Sequence, residues 1–476
     1  MPIPVGFGPV ASFAVKFLGC KVSQADAMLA RQAMLAAGHT EVPESEADLH
    51  VINTCCITGE AESKSRQSVR RSLKTAREVY VAGCAANLNA RQFAEIDARV
   101  RPLVGTADEV AAALGGQLSG LACADLAHSV WAAPRNHPRD GHRPAPELHP
   151  SAAAPPDPNQ DWYAAPPPPP LHNAGAPEPA ARTRGFVKVQ DGCDCHCAYC
   201  IIPTVRGPAR SRPAGAVLRE VRERVRCGQP EMVMTGISVG DYRDPERGLE
   251  LGELMIEVAR VPGVQRVRLS SVEVIHVKDS LLRALATEPK VCPHLHVPLQ
   301  SGDDEVLQAM GRHYDAREYL DQITALRAAA PQVNVTTDVI VGFPTEDERA
   351  FQRTVDAVDA AGITRVHVFS YSPRPGTTAE RLGDRVSAPE KKRRSHTLRA
   401  RSEVRSRHHR AAKLGIAERV LVDKVAQTQC SGYTADYTRC YLPAGAASRG
   451  KLVDVRCVEL QADGISCDLL RDGGVS

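Results

Sequence analysis

Between Val187 and Pro203 the chain reads V-K-V-Q-D-G-C-D-C-H-C-A-Y-C-I-I-P, so that Cys193, Cys197 and Cys200 fall in the spacing C-x3-C-x2-C. Three thiols this close can surround one soft-metal centre and leave one of its positions open. Thiolates select zinc, copper(I) or iron–sulfur clusters. A structural zinc site closes with four Cys or His ligands, and an electron-carrying iron–sulfur cluster normally takes four as well. Three ligands point instead to a centre that reacts at its vacant corner, and the rest of the chain is read as serving it. Cys195 is a further thiol inside the stretch, and the spacing of the other three makes it a bystander.

A second set of thiols is dispersed. Residues 12–122 alternate short apolar runs with helical patterns: strands are expected at Ser12–Gly19, Asp48–Thr54 and Glu78–Gly83, with helices near Ser23–Ala37, Ala61–Ala76 and Asn87–Ala98. Such alternation predicts a parallel sheet flanked by helices, whose ligands gather beyond the carboxyl ends of the strands. Cys20, Cys55 and Cys84 each follow one of these strands directly. Any one of them alone reads as a small buried hydrophobe; together they predict a second three-thiolate site. Cys56 adjoins Cys55, but alternation along an extended chain turns it to the other face.

From residue 123 to 183 the composition shifts to Ala, Pro, His and Arg, with unbroken prolines from 166 to 170. This segment lacks the apolar residues for a core and is expected to be a disordered linker or insertion. Beyond it, over residues 184–410, strands at Gly185–Gln190, Met232–Thr235, Val264–Leu269, His294–Val297, Val333–Val341 and Arg365–Tyr371 alternate with amphipathic helices, the pattern of a partial (βα)6 barrel. The strand ends carry Thr235-Gly236-Ile237, Ser270-Ser271-Val272-Glu273 and Gln300-Ser301-Gly302, small or polar residues that let a ligand approach. Each taken alone is also ordinary turn chemistry.

Residues 390–413 hold ten Lys and Arg against Glu390 and Glu403, either a solvated helix face or a nucleic-acid surface. Residues 411–474 then read as short strands, Glu418–Val425, Gly432–Cys440, Leu452–Leu460 and Ile465–Leu469, and predict a small antiparallel β-barrel. If the second strand ran unbroken, Tyr433, Tyr437, Arg439 and Tyr441 would share one face as a nucleic-acid surface. The other reading makes the tyrosines core residues. The fold class is thus α/β, with a small all-β domain at the end.

Fifteen cysteines and no pattern of a secretory leader suit a reducing cytoplasm with thiols used as ligands. No apolar run approaches the roughly 18–20 residues of a membrane span. Gly6 and Gly8 form a stray G-x-G, and no G-K-[ST] loop supports nucleotide triphosphate chemistry.

Cys193, Cys197 and Cys200, with Tyr199 before the last, resemble the signature of radical S-adenosylmethionine (SAM) enzymes. The full order of elements resembles the methylthiotransferases of that group, through Leu18-Gly19-Cys20-Lys21-Val22, Asn53-Thr54-Cys55, Val81-Ala82-Gly83-Cys84-Ala85, His296-Val297-Pro298-Leu299-Gln300-Ser301-Gly302 and Tyr371-Ser372-Pro373-Arg374-Pro375-Gly376-Thr377. L-G-C-K-V and T-G-I are most similar to the branch that acts on threonylcarbamoyladenosine in tRNA, beside the anticodon. Sister branches act on isopentenyladenosine or on a ribosomal-protein aspartate.

The resemblance implies two 4Fe-4S clusters, one on Cys193, Cys197 and Cys200 and an auxiliary one on Cys20, Cys55 and Cys84. It further implies SAM contacts from Tyr199, Thr235, Gly236, Ser271, Glu273 and Gln300, and a TRAM-like RNA-binding barrel at the end. A tRNA substrate, an electron donor such as flavodoxin or ferredoxin, no membrane and a monomer complete the expectation. Ser23 stands where that family commonly has Asn, and Val274 where Pro commonly follows the Ser-Ser-x-Glu string. A reading of another class is a non-catalytic iron–sulfur protein that binds RNA or carries electrons, against which the three-cysteine sites argue.

Overall fold

The computed structural model describes residues 10–116 and 183–470. The proline-rich segment up to Arg182, and Gly6 and Gly8, lie outside the described residues. Two compact units are found: residues 10–116 with Ile202–Pro208, and residues 183–201 with 209–470.

The first unit is a five-stranded parallel sheet in the order β2-β1-β3-β4-β5, with β1 Ser12–Phe17, β2 Thr40–Glu41, β3 Leu49–Thr54, β4 Glu78–Gly83 and β5 Val100–Pro102. Every residue of β3 is buried, as a central parallel strand covered on both faces requires. The short edge strands β2 and β5 were not expected; two and three residues leave no period to read. Helices Lys21–Ala36 and Gly59–Ser72 form where expected. The third expected helix is two short ones, Cys84–Leu88 and Ala90–Ala94, because Asn89 breaks the run and its side chain caps the second.

The second unit begins with six parallel strands. One group is β6 Arg184–Lys188, β9 Glu231–Thr235 and β10 Arg266–Leu269, with a two-stranded pair of β7 Gln190–Asp191 and β8 Arg210–Ser211 beside it. The other is β11 His294–His296, β12 Asn334–Val341 and β13 Arg365–Ser370. Single parallel bridges, Val267 to Val291 and Ser271 to His296, join the two groups, so that six neighbouring strands form the expected partial barrel. Its apolar core runs from Val187 and Met232 through Leu295 and Val339 to the covering helices.

The chain ends in a closed barrel, β14-β15-β16-β18-β17, of Ala417–Val425, Gln429–Tyr433, Arg439–Pro443, Leu452–Leu460 and Ile465–Leu469 in chain order. The expected strand Gly432–Cys440 is in fact the end of β15, a turn and the start of β16, and Tyr433 pairs with Arg439 across the hairpin. One seam, β16 with β18, is parallel.

That turn, residues 434–438, plugs the N-terminal mouth of the partial barrel. Arg268 donates to the Ala435 and Thr434 carbonyls at 2.9 and 3.2 Å, Arg266 to the Tyr433 carbonyl at 2.9 Å, and Asn334 to the Asp436 carbonyl at 2.8 Å. Tyr433 and Tyr437 stack on each other at 4.9 Å, with Arg184 over both rings and Arg268 over Tyr437. These two tyrosines therefore anchor one barrel to the other and do not offer a nucleic-acid face. Tyr437 has φ 70°, so the turn and not strand alternation sets its direction. The separate pair of Arg439 and Tyr441 bonds to Asp463.

The basic run is a helix, Ala388–Ala411, opened by Ser387 and Pro389. It is less a solvated face than its composition suggests. Arg394 is buried between Glu346 at 2.7 Å and Glu390 at 2.7 Å, Lys391 is buried against Asp384 and the Tyr371 carbonyl, and Arg401 and Arg405 hold Asp359.

Candidate metal centres

In the first unit β1, β3 and β4 are adjacent and parallel, so their carboxyl ends coincide and the chain delivers Cys20, Cys55 and Cys84 to one sheet edge. Their local sequences are explained by that convergence. Gly19 has φ 114°, and a Cβ there would lie 3.0 Å from the Cys55 sulfur. Gly83 has φ 90°, and a Cβ would overlap Asn53 Oδ1 and come within 2.6 Å of the Thr54 carbonyl. Glycine before Cys20 and before Cys84 is thus demanded by backbone conformation and close approach together.

Asn53 donates to the Ser23 carbonyl at 2.8 Å, tying β3 to helix Lys21–Ala36, while Thr54 donates to the Ala82 carbonyl at 2.6 Å and accepts from the Ala86 amide at 3.3 Å. Asn53-Thr54-Cys55 is therefore the splice that holds the three ends together. Ser23, at the position where the resembling proteins commonly carry Asn, is buried with its hydroxyl 3.8 Å from the Cys20 sulfur.

Cys20 is exposed, and Cys55 and Cys84 are 3 % and 2 % exposed. Cys56 is buried. Burial pushes the Cys84 thiol up to about 11, Arg206 draws it down, and the charges of Cys20 and Cys55 act on it. Arg206 is not marked by any pattern in the sequence. It is itself buried, donates to the Cys84 sulfur at 3.1 Å and pairs with Asp26 at 2.9 Å. The Asn87 side chain holds the preceding carbonyl, that of Val205, at 2.9 Å.

The donors fit a polynuclear soft-metal group. They are three thiols at one sheet edge, with a guanidinium at one of them, and Asn53 Oδ1 is buried with no partner among the described residues. The three sulfurs do not all lie within 4.8 Å of one another, a spread that suits a cluster better than one ion.

In the second unit Cys193, Cys197 and Cys200 lie in the loop that follows β6 and β7, at the carboxyl rim of the barrel. Backbone bonds hold the loop: the Ala198 amide donates to the Met310 carbonyl at 2.8 Å, and the Ala198 carbonyl accepts from Ala379 at 2.7 Å. All three cysteines are half-buried. A hydrogen bond from Cys195 lowers the Cys193 pKa against the effect of burial, and the Cys195 amide lies 3.4 Å from the Cys193 sulfur. Cys195 thus supports Cys193.

Burial raises Cys197, and Arg312 opposes it by donating to its sulfur at 3.3 Å. Arg312 also donates to Glu273 at 3.1 Å. No local pattern singles out Arg312; Gly311 with φ 70° before it is the one cue that the chain turns sharply there.

The residues expected to contact SAM sit on the same rim. Thr235 ends β9, and a Cβ at Gly236 would stand 3.0 Å from Gln190. Ser271 bridges to His296, Glu273 takes Arg312, and Val274 is a buried start of a helical turn. Gln300 has φ 66°, a conformation that costs a non-glycine residue about 1–3 kcal/mol and clusters at functional sites. Tyr199 is half-buried and packs against the small apolar cluster that includes Ala198, Met310 and Phe343. Ser238 Oγ, Ser270 Oγ and Arg312 Nη2 are buried without a partner among the described residues. Each can bond to a polar ligand, so the donor set fits a cluster with an amino-acid-like group beside it.

The radical SAM superfamily matches residues 187–358, and uncharacterized protein family UPF0004 matches residues 12–105. The chain is similar to the threonylcarbamoyladenosine tRNA methylthiotransferase MtaB of Thermotoga maritima, 32 % identical over 95 % of this chain and 96 % of that protein. It is 31 % identical to the protein of that name in Bacillus subtilis, over 94 % of both. It is also 31 % identical to the tRNA-2-methylthio-N(6)-dimethylallyladenosine synthase of Oleidesulfovibrio alaskensis, over 84 % of this chain and 80 % of that one.

Proposed function

The chain belongs to the radical SAM methylthiotransferases, enzymes that transfer sulfur-containing groups, and from that premise we propose that it adds a methylthio group to C2 of threonylcarbamoyladenosine beside the anticodon of tRNA. The observation that carries this reading is the end-to-end similarity to proteins named for that reaction. Dimethylallyladenosine synthases match at 31 % identity over 84 % and 81 % of the chain, and one at 29 % over 93 %.

Cys193, Cys197 and Cys200 would hold the first cluster, and Tyr199, Thr235, Gly236, Ser271, Glu273 and Gln300 would contact SAM. The chemistry supplied there, once both are bound, is reductive cleavage of the sulfonium to a 5′-deoxyadenosyl radical. Arg312 keeps a positive charge at Cys197 and orients Glu273. Cys20, Cys55 and Cys84 would hold an auxiliary cluster at which sulfur is carried or delivered, and Arg206 would balance its charge at Cys84.

The terminal turn closes the barrel's N-terminal mouth, which leaves RNA to approach from the carboxyl rim or the open side. Beside β13 there is a groove of about 390 Å³ lined by Arg365, Phe369 and Arg399, with Phe369 44 % exposed. An exposed ring in a groove that also holds Arg365, Arg399 and Arg410, beside Glu403 and Asp463, suits stacking on an unpaired base. No helix among the described residues is long and apolar enough to cross a membrane. A donor of the flavodoxin or ferredoxin type, a monomeric state and a cytoplasmic location accompany this reading.

Mass spectrometry of tRNA nucleosides from cells lacking the protein tests it. The methylthio form of threonylcarbamoyladenosine should vanish while its precursor accumulates. Loss of methylthiolated isopentenyladenosine instead would move the chain to the sister branch, and unchanged nucleosides would defeat both. Purified Cys197→Ala should cleave no SAM, whereas Cys84→Ala should retain some cleavage and insert no sulfur.

A further inference from the structure

Outside both trios, four more buried cysteines occupy one small fold: Cys430, Cys440, Cys457 and Cys467, each at most 2 % exposed, in the core of the terminal barrel. The interior of a small barrel is ordinarily filled by branched aliphatic side chains, and here Val420, Val422, Leu442, Val455 and Ile465 do fill the rest.

Strand register explains why three thiols meet. Cys457 on β17 is directly opposite Cys467 on β18, and their sulfurs are 3.9 Å apart. β16 runs parallel to β18 and brings in Cys440 from the other side. The sulfurs of Cys440, Cys457 and Cys467 all lie within 4.8 Å of one another, the one group of three or more potential ligands packed so tightly among the described residues. Cys430 is paired with Leu442, one inward layer further along, and stays outside the group.

We propose that Cys440, Cys457 and Cys467 bind one thiophilic d10 cation, zinc(II) or copper(I), inside the terminal barrel. Thiolates bound to one zinc at about 2.3 Å in tetrahedral directions stand roughly 3.8 Å apart, close to the separation of Cys457 and Cys467. Soft thiolates select copper(I), zinc or iron–sulfur clusters. Sulfurs all within 4.8 Å of one another suit a single ion rather than a cluster, and three thiolates complete a copper(I) site, whereas zinc would keep its fourth position for a small ligand. Binding forms three metal–sulfur bonds and releases the three thiol protons to solvent, with no change of oxidation state. A disulfide would use only two of the three sulfurs and needs an oxidant. The site ties together β16, β17 and β18 and so fixes the strand that leaves the plugging turn.

The test is elemental analysis of the full-length protein, purified without oxygen, chelators or a metal-binding tag, with iron–sulfide reconstitution to fill the cluster sites. The native chain and Cys430→Val should each hold one equivalent of zinc or copper, and the metal found identifies the ion. Cys440→Val and Cys467→Val should lose that equivalent with iron unchanged. X-ray absorption at the zinc and copper edges of the native protein, independent of how the variants fold, should show a sulfur shell at about 2.3 Å. Absence of both metals from the native protein would overturn the proposal. So would zinc that persists in Cys467→Val, or an edge dominated by nitrogen and oxygen.

Discussion

At the scale of single residues, two arginines stand out, each donating to a thiol that belongs to a candidate cluster site: Arg206 at Cys84 and Arg312 at Cys197. Partners that orient a metal ligand from behind are worth about 10–100-fold in activity or affinity. Arg312→Met is therefore expected to lower the rate of 5′-deoxyadenosine formation by about that factor, because it removes a buried charge and releases Glu273. Iron content with all six cysteines intact, measured alongside, separates a misplaced SAM from a lost cluster; full activity with normal iron would deny Arg312 its role. Neither arginine was legible in the sequence, since each lies remote from its partner cysteine or aspartate in the chain. The cysteines themselves were legible because each sits at a strand end or in one short spacing.

At the scale of elements, the turn between β15 and β16 joins two folds through buried charges. Glu231 and Arg268 are each 1 % exposed and 2.9 Å apart, with Arg266 beside them. Removing one member of such a set leaves an uncompensated charge, at about 3–5 kcal/mol. Glu231→Gln should lower the urea midpoint of the second unit accordingly, and an unchanged midpoint would mean water reaches the pair.

Acid acts on the buried carboxylates of the second unit. Burial alone would raise the Glu220 carboxyl, but Arg224 and Arg212 outweigh it and hold it at about 2. Burial is likewise outweighed at Asp436, held well below the usual range by His409, Lys413 and Thr434, and at Glu231 by Arg268. A carboxyl with a lowered pKa in the folded state binds fewer protons than it does unfolded, so stability rises with pH. That contribution is complete above the ordinary carboxylate range and is lost as the pH falls from there through the folded value of about 2 for Glu220. Urea midpoints measured from pH 7 downward should be flat at first and then drop below about pH 4.5; a rise on acidification would contradict the pairing.

At the scale of the whole molecule, the terminal barrel is part of the second unit and not an appendage. Ending the chain after Lys413 would expose Arg184, Arg266, Arg268 and Glu231 at the mouth of the partial barrel. The truncated protein is expected to melt at a lower temperature and to retain less iron even without tRNA. An unchanged melting temperature would show that the barrel serves RNA alone.

The sequence by itself determined the two trios of thiols, the parallel sheet that gathers one of them and the six-strand pattern that frames the other. These features are local, because hydrophobic period and a cysteine after a strand are written within a few residues of one another. Only the tertiary structure decided which way Tyr433 and Tyr437 face, how much of the basic helix is buried in ion pairs, and where Arg206 and Arg312 land. It alone brought Cys440, Cys457 and Cys467 together, because that meeting depends on strand register across a closed barrel, and register is fixed by pairing between distant segments.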